Sequence, residues 1–280
     1  MDDKKIVITG ANGQVGRALQ KIYPQALALD REQLDITDQK AINEFNWDNT
    51  KVIINAAAWT DVDGAENPSN YNLVKTVNVD ATRYLATAAN QHDSTFVAFS
   101  SDYVFDGSQS IHNEDEPFFP LNVYGKTKAD GDLAAATATK HYIIRTSWVI
   151  GDGRNFVNIM QDLAARGVRP SVVNDQIGRL TFTDTLARGI KHLLEIGAPY
   201  GTYNLTNEGQ PVSWADIAKI VFEKSGKSPS DVQPVSTAEY FADRPNTAKR
   251  PLQSTLDLTK IEKTGFIPED WRDKLNRLLG

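Results

Sequence analysis

Two tyrosine–lysine pairs in this sequence have a spacing that could support proton transfer. Tyr124 precedes Lys128 in YGKTK, and Tyr71 precedes Lys75 in YNLVK. On a helix, residues four apart lie on one face about one turn apart. Either pair could therefore place a cation beside a phenolic proton donor, and the spacing alone does not decide between them.

The residues before each pair separate the two. TFVAFSS (95–101) predicts a strand that ends in two serines, and the helix that carries Tyr124 follows it. Ser101, Tyr124 and Lys128 are therefore expected to meet at the sheet edge where this strand ends. No serine-ended strand stands directly before the other pair, which we interpret as surface or packing residues.

These three side chains suit the reduction of a ketone, which needs a hydride on carbon and a proton on oxygen. A free tyrosine has a pKa of about 10, and we expect the Lys128 ammonium to lower the pKa of Tyr124 because it favours the phenolate. The same lysine could hold the ribose of a nicotinamide cofactor. The Ser101 hydroxyl could donate a hydrogen bond to the carbonyl oxygen as negative charge develops there.

A glycine-rich turn lies between the first strand and the first helix. TGANGQVG places Gly10, Gly13 and Gly16 three residues apart. Such a loop brings backbone N–H groups close to a pyrophosphate at the positive end of a helix, although a tight strand-to-helix turn is the alternative interpretation. Asp30, which ends the second strand, favours a dinucleotide because an acid at that position holds the adenosine ribose.

The residues after the second strand leave the choice of cofactor open. A carboxylate at Asp30 accepts hydrogen bonds from a free ribose and repels a 2′-phosphate, whereas the Arg31 guanidinium would attract that phosphate. Asp35 and Ile36 fall where the next loop could contact adenine. A solvated turn is the alternative for all four residues. We expect the protein to use both NADPH and NADH.

Strand and helix signals alternate through the first half of the chain. Apolar, β-branched runs predict strands at KKIVITG, ALALD, VIIN, TFVAFSS and HYIIRTSWVI, the last covering 141–150, and helical patterns follow over 71–91 and 122–136. The inward positions expected on the first of these two helices are Leu73, Val77, Leu85 and Ala88. The alternation predicts an α/β fold with a Rossmann-type, doubly wound parallel sheet covered by helices on both faces.

The second half of the chain is less regular. VRPSVVND (168–175) predicts a strand and LARGIKHLLEI (186–196) a helix. Ser213 is a good N-cap for a helix that runs to about residue 225, with Asp216 in an imperfect capping box. Proline crowds the stretch 229–251, which predicts extended loops.

These elements predict a division into two parts. We expect residues 1–150, together with about 182–205, to form a dinucleotide-binding Rossmann domain. Residues 151–181 and 206–280 are expected to form a smaller C-terminal α/β lobe that binds substrate over the carboxyl edge of the sheet, where ligands bind in open α/β folds.

Composition restricts the partners and the location. The 280 residues carry a net charge of −6 with no basic run, so nucleic acid is not an expected partner. Without cysteine there is no disulfide and no thiolate metal site, and the four histidines are scattered, so we expect no bound metal. The first apolar run is too short for a signal peptide, and no stretch could span a membrane. We expect a cytoplasmic protein.

Six motifs in order resemble the extended short-chain dehydrogenase/reductase superfamily, and within it the dTDP-4-dehydrorhamnose reductases. They are INAAAWTDVDGAE, SSDYVFDG, PLNVYGKTK, RTSWV, NDQIG and RPLQSTLD. The resemblance covers most of the chain. It implies NADPH- or NADH-dependent reduction of the 4-keto group of dTDP-4-dehydro-L-rhamnose, a sugar nucleotide.

That resemblance also implies a role for each candidate residue. Tyr124 is the proton donor, Lys128 its partner and Ser101 the assisting hydroxyl. Asp102 and Trp148, together with Ser101 and Tyr124, fall on positions that contact the sugar. The positions that fall on the cofactor site are Gly13, Gln14, Val15, Asp30, Asp35, Ile36, Ala56, Ala57 and Ala58.

Tyr103 separates this chain from the sugar-nucleotide dehydratases of the same superfamily. Those enzymes carry Thr-Asp-Glu where this chain has Ser101, Asp102 and Tyr103, and they use the extra acid to eliminate water. A tyrosine cannot replace that carboxylic acid. The departure indicates simple reduction.

Two further questions stay open at this point. Some family members are described as metal-bridged dimers, but the first helix here, QVGRALQK, lacks an acidic residue to supply a ligand, so we expect a monomer or a homodimer.

A regulatory subunit of methionine adenosyltransferase resembles the same reductases and binds a nicotinamide cofactor without needing turnover. The intact Ser101, Tyr124 and Lys128 favour catalysis over that regulatory role.

Overall fold

The central sheet of the protein is built from six short apolar strands. A computed structural model describes residues 2–244 and 247–280 of the chain. The sheet strands are β1 (Ile6–Thr9), β2 (Leu27–Leu29), β3 (Val52–Asn55), β4 (Thr95–Ser101), β5 (His141–Thr146) and β10 (Gly201–Asn204). The shorter strands outside it are β6 (Val149–Ile150), β7 (Ser171–Val173), β8 (Ile177–Gly178), β9 (Thr181–Phe182), β11 (Val212–Ser213) and β12 (Gln233–Val235).

The strands of the sheet are all parallel and lie in the order β10-β5-β4-β3-β1-β2. The chain runs outward from β1 to β2 and then builds the remaining strands on the other side of β1. The direction of winding therefore reverses between β1 and β3, and ligands of open α/β sheets bind outside the carboxyl ends of the strands at such a point. The Rossmann-type fold predicted from the sequence is confirmed.

Helices cover both faces of the sheet. They are α1 (Gln14–Ile22), α2 (Gln39–Glu44), α3 (Val62–Ala65), α4 (Tyr71–Lys75), α5 (Ala81–Gln91), α6 (Val123–Ala135), α7 (Phe156–Ala165), α8 (Thr183–Ile196), α9 (Trp214–Lys224), α10 (Thr237–Phe241), α11 (Thr259–Glu262) and α12 (Trp271–Leu279). One apolar cluster joins α1 and α8 to one face, and a second joins α2 and α5 to the other. Within 2–244 and 247–280, no helix combines the length and the apolarity needed to cross a membrane.

The helix predicted over 71–91 is interrupted in the structure. α4 and α5 are joined by a π-helical turn, Thr76–Asp80. Of the four positions expected to face inward, the last two are buried, Val77 is half-buried and Leu73 is 42% exposed. Val74 is buried instead of Leu73 because the wider turn shifts the inward face of the helix by one residue.

The π-helical turn places a polar side chain inside the protein. Asn78 is buried, and its amide group donates to Thr127 Oγ1 at 3.0 Å and accepts from the backbone N–H of Trp59 at 2.9 Å. These bonds tie the turn both to α6 and to the segment that follows β3. Asn78 therefore helps to fix α6 against the sheet.

The strand predicted over 141–150 is also interrupted. β5 ends at Thr146, and Trp148 has a φ of +47°, a left-handed conformation that takes the chain out of the sheet. β6 then pairs with β9 of the lobe rather than with the central sheet. Because of this break, the Trp148 side chain points in a direction that a continuous strand would not allow.

A third apolar cluster lies in the C-terminal lobe, formed mainly by α7, α9 and α12. Ser213 is the N-cap of α9, as expected, and it completes a capping box with Asp216. The strand predicted over 168–175 shortens to β7, which pairs with β12. The stretch 229–251 contains β12 and α10 as well as loops, and its residues 245 and 246 lie outside the described part of the chain.

We propose the two-part division expected from the sequence, because the packing supports most of it. β10 pairs with β5, and α8 belongs to the same apolar cluster as α1, so both lie with the Rossmann domain. Leu258 and Ile261 also belong to that cluster. The segment around α11 therefore packs with the sheet, although its position in the chain had placed it in the lobe.

Candidate active site

A cleft of about 1050 Å³ opens at the carboxyl edge of the sheet and reaches the lobe. Nearly all the residues singled out from the sequence line it. Those expected in a cofactor site are Gly10, Gly13, Gln14, Val15, Asp30, Arg31, Asp35, Ile36, Ala56, Ala57 and Ala58. Those expected at a reaction centre are Ser101, Asp102, Tyr124, Lys128 and Trp148.

Two of the three glycines that follow β1 are required by close backbone packing. Gly10 has a φ of +73°, and a Cβ added there would lie 2.5 Å from the backbone nitrogen of Ala57. A Cβ on Gly16 would lie 2.2 Å from the carbonyl oxygen of Gly10. Gly16 is not among the residues that line the cleft, so its contribution is to let α1 approach the loop.

The first turn of α1 forms part of the cleft wall. Gly13 occupies the N-cap position, and none of the described side chains caps this end of the helix. The backbone N–H groups of this first turn and the positive end of the α1 dipole are therefore available to a ligand. This arrangement fits a dinucleotide pyrophosphate, which binds at helix N-termini of this kind.

Asp30 ties the turn after β2 to the glycine loop. Its Oδ1 accepts hydrogen bonds from the backbone N–H groups of Glu32 (3.0 Å) and Gln33 (3.1 Å). Its Oδ2 accepts one from the Asn12 side chain at 3.2 Å. The carboxylate is therefore fixed at the rim of the cleft, where it could accept hydrogen bonds from a ribose.

Arg31 forms an ion pair with Asp35 at the same rim. Arg31 Nε lies 3.2 Å from Asp35 Oδ2, and the arginine side chain is 75% exposed. Burial alone would raise the pKa of Asp35, but hydrogen bonds from Thr37 and the Arg31 charge outweigh it and lower that pKa. A cation and an anion thus share this end of the cleft.

Helix α6 holds Tyr124 and Lys128 at the cleft because its first turn packs closely against the segment after β4. The Asn122 side chain caps the helix by accepting from the N–H of Gly125 at 2.6 Å. A Cβ on Gly125 would lie 2.2 Å from the carbonyl oxygen of Tyr103. The glycine after the tyrosine in YGKTK therefore allows the helix to reach the end of β4.

Ser101 and Lys128 are held by hydrogen bonds from two sides. Lys128 is 7% exposed, and its Nζ donates to the carbonyl oxygen of Phe99 at 2.6 Å. The Ser101 hydroxyl donates to Asp102 Oδ1 at 3.0 Å and accepts from the N–H of Tyr103 at 3.2 Å. The Tyr103 ring also packs edge-on against the Tyr124 ring, with centroids 5.6 Å apart.

Tyr124 keeps its proton in this environment. Burial raises the pKa of Tyr124, the charges of Asp102 and Asp132 raise it further, and the Ser101 hydroxyl opposes the rise. The lowered pKa expected from the sequence is therefore wrong for this arrangement, because burial dominates and Lys128 is bonded to a backbone carbonyl. A protonated phenol is nevertheless the form that can donate a proton.

Asp102 is a buried carboxylate with an unpaired oxygen. The residue is 2% exposed, and within the described residues its Oδ2 has no hydrogen-bond partner. Burial raises its pKa to about 6, although the hydroxyls of Ser254 and Ser101 oppose the rise. A buried acceptor without a partner costs free energy, so this oxygen is suited to a ligand hydroxyl group.

Trp148 is held in an aromatic stack that includes residues not singled out from the sequence. The Trp148 and Trp214 rings lie 3.7 Å apart at 17°, and Phe156 packs against Trp214 at 4.5 Å. The other boundary is Gly178, where a Cβ would come within 2.9 Å of the Trp148 ring. Trp214 directly follows the predicted N-cap Ser213, but nothing local in the sequence indicates its partner.

A basic contact between the glycine loop and the lobe was also not predicted. The Arg17 guanidinium donates to the carbonyl oxygens of Asn12 and Asp152, and Lys21 Nζ lies 2.6 Å from Asp152 Oδ2. Arg17 and Asp152 both line the cleft. The two contacts with Asp152 hold the loop after β6 beside α1, and they join residues more than 130 positions apart.

The second tyrosine–lysine pair lies away from this site. Tyr71 is 40% exposed and Lys75 is exposed on α4, and neither lines the cleft. Their interpretation as a surface pair agrees with this position. Leu73 and Val77, from the same segment, do contribute to the cleft wall.

Known proteins with related names match this chain over nearly its full length. The family model described as RmlD substrate binding domain matches residues 4–280. A dTDP-4-dehydrorhamnose reductase of Aggregatibacter actinomycetemcomitans is 40% identical over 294 aligned positions, which cover 98% of this chain and 98% of that protein.

Solved structures give the same result. A dTDP-4-dehydrorhamnose reductase of Clostridium acetobutylicum has a TM-score of 0.89 and 37% identity, with 97% of each chain covered. The dTDP-4-dehydrorhamnose reductase of Bacillus anthracis in complex with NADP has a TM-score of 0.89 and 33% identity, again with 97% of each chain covered. The resemblance identified from the motifs, to reductases that use a nicotinamide cofactor, is confirmed. This chain belongs to the RmlD family.

Proposed function

We propose that this protein reduces the 4-keto group of dTDP-4-dehydro-L-rhamnose to give dTDP-L-rhamnose, with NADPH or NADH as the hydride donor. The observation that carries the proposal is that Ser101, Tyr124 and Lys128 line one cleft together with the glycine loop. The names of the relatives support the sugar nucleotide, and the NADP in the Bacillus anthracis structure supports the cofactor.

The cofactor would be held by the half of the cleft next to β1 and β2. The first turn of α1 would bind the pyrophosphate, and Asp30 would accept hydrogen bonds from the adenosine ribose. Asp35 and Ile36 would lie beside the adenine, and the backbone of Ala56–Ala58 would form the floor beneath Gly10. When bound there, the nicotinamide supplies the hydride.

The chain's own residues would supply the proton. Tyr124 donates its phenolic proton to the ketone oxygen as the hydride reaches the carbon, and Ser101 donates a hydrogen bond to that oxygen. Lys128, as an ammonium, stabilises the phenolate that forms on Tyr124. The phenolate then regains a proton from solvent through the open cleft.

The sugar would lie between the reaction centre and the lobe. The unpaired Oδ2 of Asp102 would accept a hydrogen bond from a sugar hydroxyl. Trp148 would contact the sugar at the cleft wall, where its stack with Trp214 fixes the plane of the ring. Both contacts orient the 4-keto group toward Tyr124.

A non-catalytic, NADP-binding regulatory subunit similar to that of methionine adenosyltransferase is the alternative considered from the sequence. Such a role requires the glycine loop but not Ser101, Tyr124 and Lys128 together. Their meeting in the cleft supports the enzyme. The cytoplasmic location and the monomeric or homodimeric state stay predictions.

The proposal is tested by NADPH oxidation with dTDP-4-dehydro-L-rhamnose, made in place by the preceding enzymes from dTDP-glucose. We expect oxidation to require the complete sugar nucleotide and to yield dTDP-L-rhamnose by chromatography. Tight NADPH binding without any turnover would favour the regulatory alternative.

Tyr124→Phe should separate catalysis from binding. Only a hydroxyl is lost, so we expect cofactor Kd to change little, whereas reduction slows by roughly 10²- to 10⁴-fold, the usual contribution of a positioned general acid. Lys128→Ala should slow turnover and also weaken cofactor binding, because it removes the charge beside Tyr124 and a ribose contact. Both quantities are measured by steady-state kinetics and fluorescence titration.

Tyr71→Phe and Lys75→Ala are the matched controls, since they have the same spacing outside the cleft. Their turnover should stay within about three-fold of the wild type, as expected for surface substitutions. Normal turnover by Tyr124→Phe, or a large loss in either control, would show that the catalytic pair is assigned wrongly.

Arg31→Ala should discriminate between the two cofactors. The wild type is expected to use NADH and NADPH without a large preference, because Asp30 and Arg31 lie together at the rim. An exposed ion contact contributes up to about 1 kcal/mol, so the substitution should weaken NADPH binding by about five-fold and leave NADH binding nearly unchanged. Equal losses for both cofactors, measured as Kd, would mean that Arg31 does not contact the 2′-phosphate.

Incubation with dTDP-glucose and NAD should give no 4-keto-6-deoxy sugar. Tyr103 stands where dehydratases carry a glutamate. Burial raises the pKa of Tyr103, and the charge of Asp102 raises it further. It therefore cannot serve as the extra carboxylic acid. Mass spectrometry of the product, with an authentic dehydratase as positive control, decides the point, and loss of water from the substrate would overturn the assignment to simple reduction.

A further inference from the structure

Helix α6 carries a second charged group one turn beyond Lys128. Tyr124, Lys128 and Asp132 follow one another at four-residue steps, so they lie along one face of the helix. Lys128, Asp132 and Arg145 are 7%, 5% and 4% exposed. A buried cation, anion and cation are thus arranged in sequence behind the tyrosine, and the mechanism described above uses only the first of them.

Arg145 holds the Asp132 carboxylate in a fixed position. Its Nε lies 3.0 Å from Asp132 Oδ2, and its Nη1 donates to the carbonyl oxygen of Glu114 at 2.9 Å. The guanidinium carbon lies 4.9 Å from the ring centre of Phe118 and 5.4 Å from that of Phe105. Burial raises the pKa of Asp132, and the Arg145 charge is the largest influence that opposes the rise.

Lys128 lacks a directly bonded anion among the described residues. Its Nζ donates to a neutral backbone carbonyl, that of Phe99. Burial lowers the pKa of Lys128, and the charge of Asp132 opposes that fall. A buried ammonium with only a neutral partner tends to lose its proton. The carboxylate one turn away is therefore important for the charge of Lys128.

Other titratable groups on the elements packed against α6 are exposed or engaged elsewhere. Asp63 pairs with Arg250, Asp80 pairs with Arg83, and Glu66 accepts from the N–H of Val123. The remaining titratable groups on those elements are Asp102 and Tyr103 after β4, Tyr84 on α5, the exposed Tyr71 and Lys75 on α4, and His141 and Tyr142 on β5. Tyr142 points to the opposite face of the sheet, where its hydroxyl donates to the carbonyl oxygen of Ala198.

We propose that Asp132 is a positioning residue of the reduction, which keeps Lys128 in its cationic form beside Tyr124, and that Arg145 holds the Asp132 carboxylate in its ionised form. This inference rests on the proposed function. As the phenolic proton moves from Tyr124 to the ketone oxygen, a negative charge forms on the tyrosine. A cationic Lys128 stabilises that charge, whereas a neutral amine does not.

The test is the pH dependence of kcat/KM for Asp132→Asn. Reduction requires Lys128 to carry its proton, so activity falls on the alkaline side as that proton is lost. Without the Asp132 charge the proton leaves at lower pH, so we expect the alkaline limb to move down by at least about one pH unit, a ten-fold loss at a fixed pH on that limb. Asp132→Glu keeps the charge and should restore the wild-type limb.

Asp130→Asn is the matched control. Asp130 pairs with Lys126 at 3.2 Å on the same helix, but this pair is largely exposed. Its loss should leave the pH profile unchanged. Cofactor Kd as a function of pH, measured without any sugar, should show the same shift in Asp132→Asn, because the Lys128 ammonium also holds the ribose.

Asp132→Asn leaves Arg145 without its partner and could unfold the protein. The double variant Asp132→Asn/Arg145→Gln removes both charges at once and should show a shift in the same direction, measured on protein whose folding is verified by circular dichroism. A uniform loss of activity with an unmoved limb in these variants would reduce Asp132 to a structural role. If the wild type binds NADPH but does not reduce the sugar, the proposed function fails, while the pH profile of cofactor Kd still tests Asp132.

Discussion

A buried hydrogen bond between the ends of β1 and β3 positions the backbone that forms the cofactor half of the cleft. Thr9 Oγ1 donates to Asn55 Oδ1 at 2.8 Å in a buried contact, and the same oxygen accepts from the N–H of Ala57 at 3.1 Å. This fixes the chain after β3 directly beneath the glycine loop. Gly10 then passes so close to Ala57 that no side chain fits between them. The floor of the cofactor half of the cleft is therefore made of backbone, at the point where the winding of the sheet reverses.

The reaction half of the cleft depends instead on buried polar groups. Asp102, Lys128 and Asp132 are all nearly inaccessible, and burial shifts the pKa of each toward its neutral form. Charges in such a site interact more strongly than they would in water. In the proposed mechanism, this arrangement keeps Tyr124 protonated before reaction and places the Lys128 ammonium where the phenolate would form. Asp102 and Lys128 line the cleft, whereas Asp132 is paired with Arg145 behind it.

Much of this arrangement could be predicted from the sequence because it depends on local patterns. The spacing of Tyr124 and Lys128, the serine at the end of β4 and the three glycines after β1 each follow from a helix, a strand or a turn. The features that were missed depend on contacts between distant segments. The stack of Trp148 on Trp214 and the ion pair of Asp132 with Arg145 join different elements, and no local pattern marks either. The raised pKa of Tyr124 was missed for a related reason, since burial is set by the whole fold and not by the neighbouring lysine.

The proposed reduction is best tested by following the hydride itself. The protein is incubated with dTDP-4-dehydro-L-rhamnose and NADPH that carries deuterium at C4 of the nicotinamide on the transferred face, and the product is analysed by mass spectrometry and proton NMR. We expect a single deuterium at C4 of dTDP-L-rhamnose from the wild type, and almost none of this product from Tyr124→Phe in the same short incubation. Label at another carbon, or equal amounts of labelled product from both proteins in that time, would show that the proposed reduction is wrong.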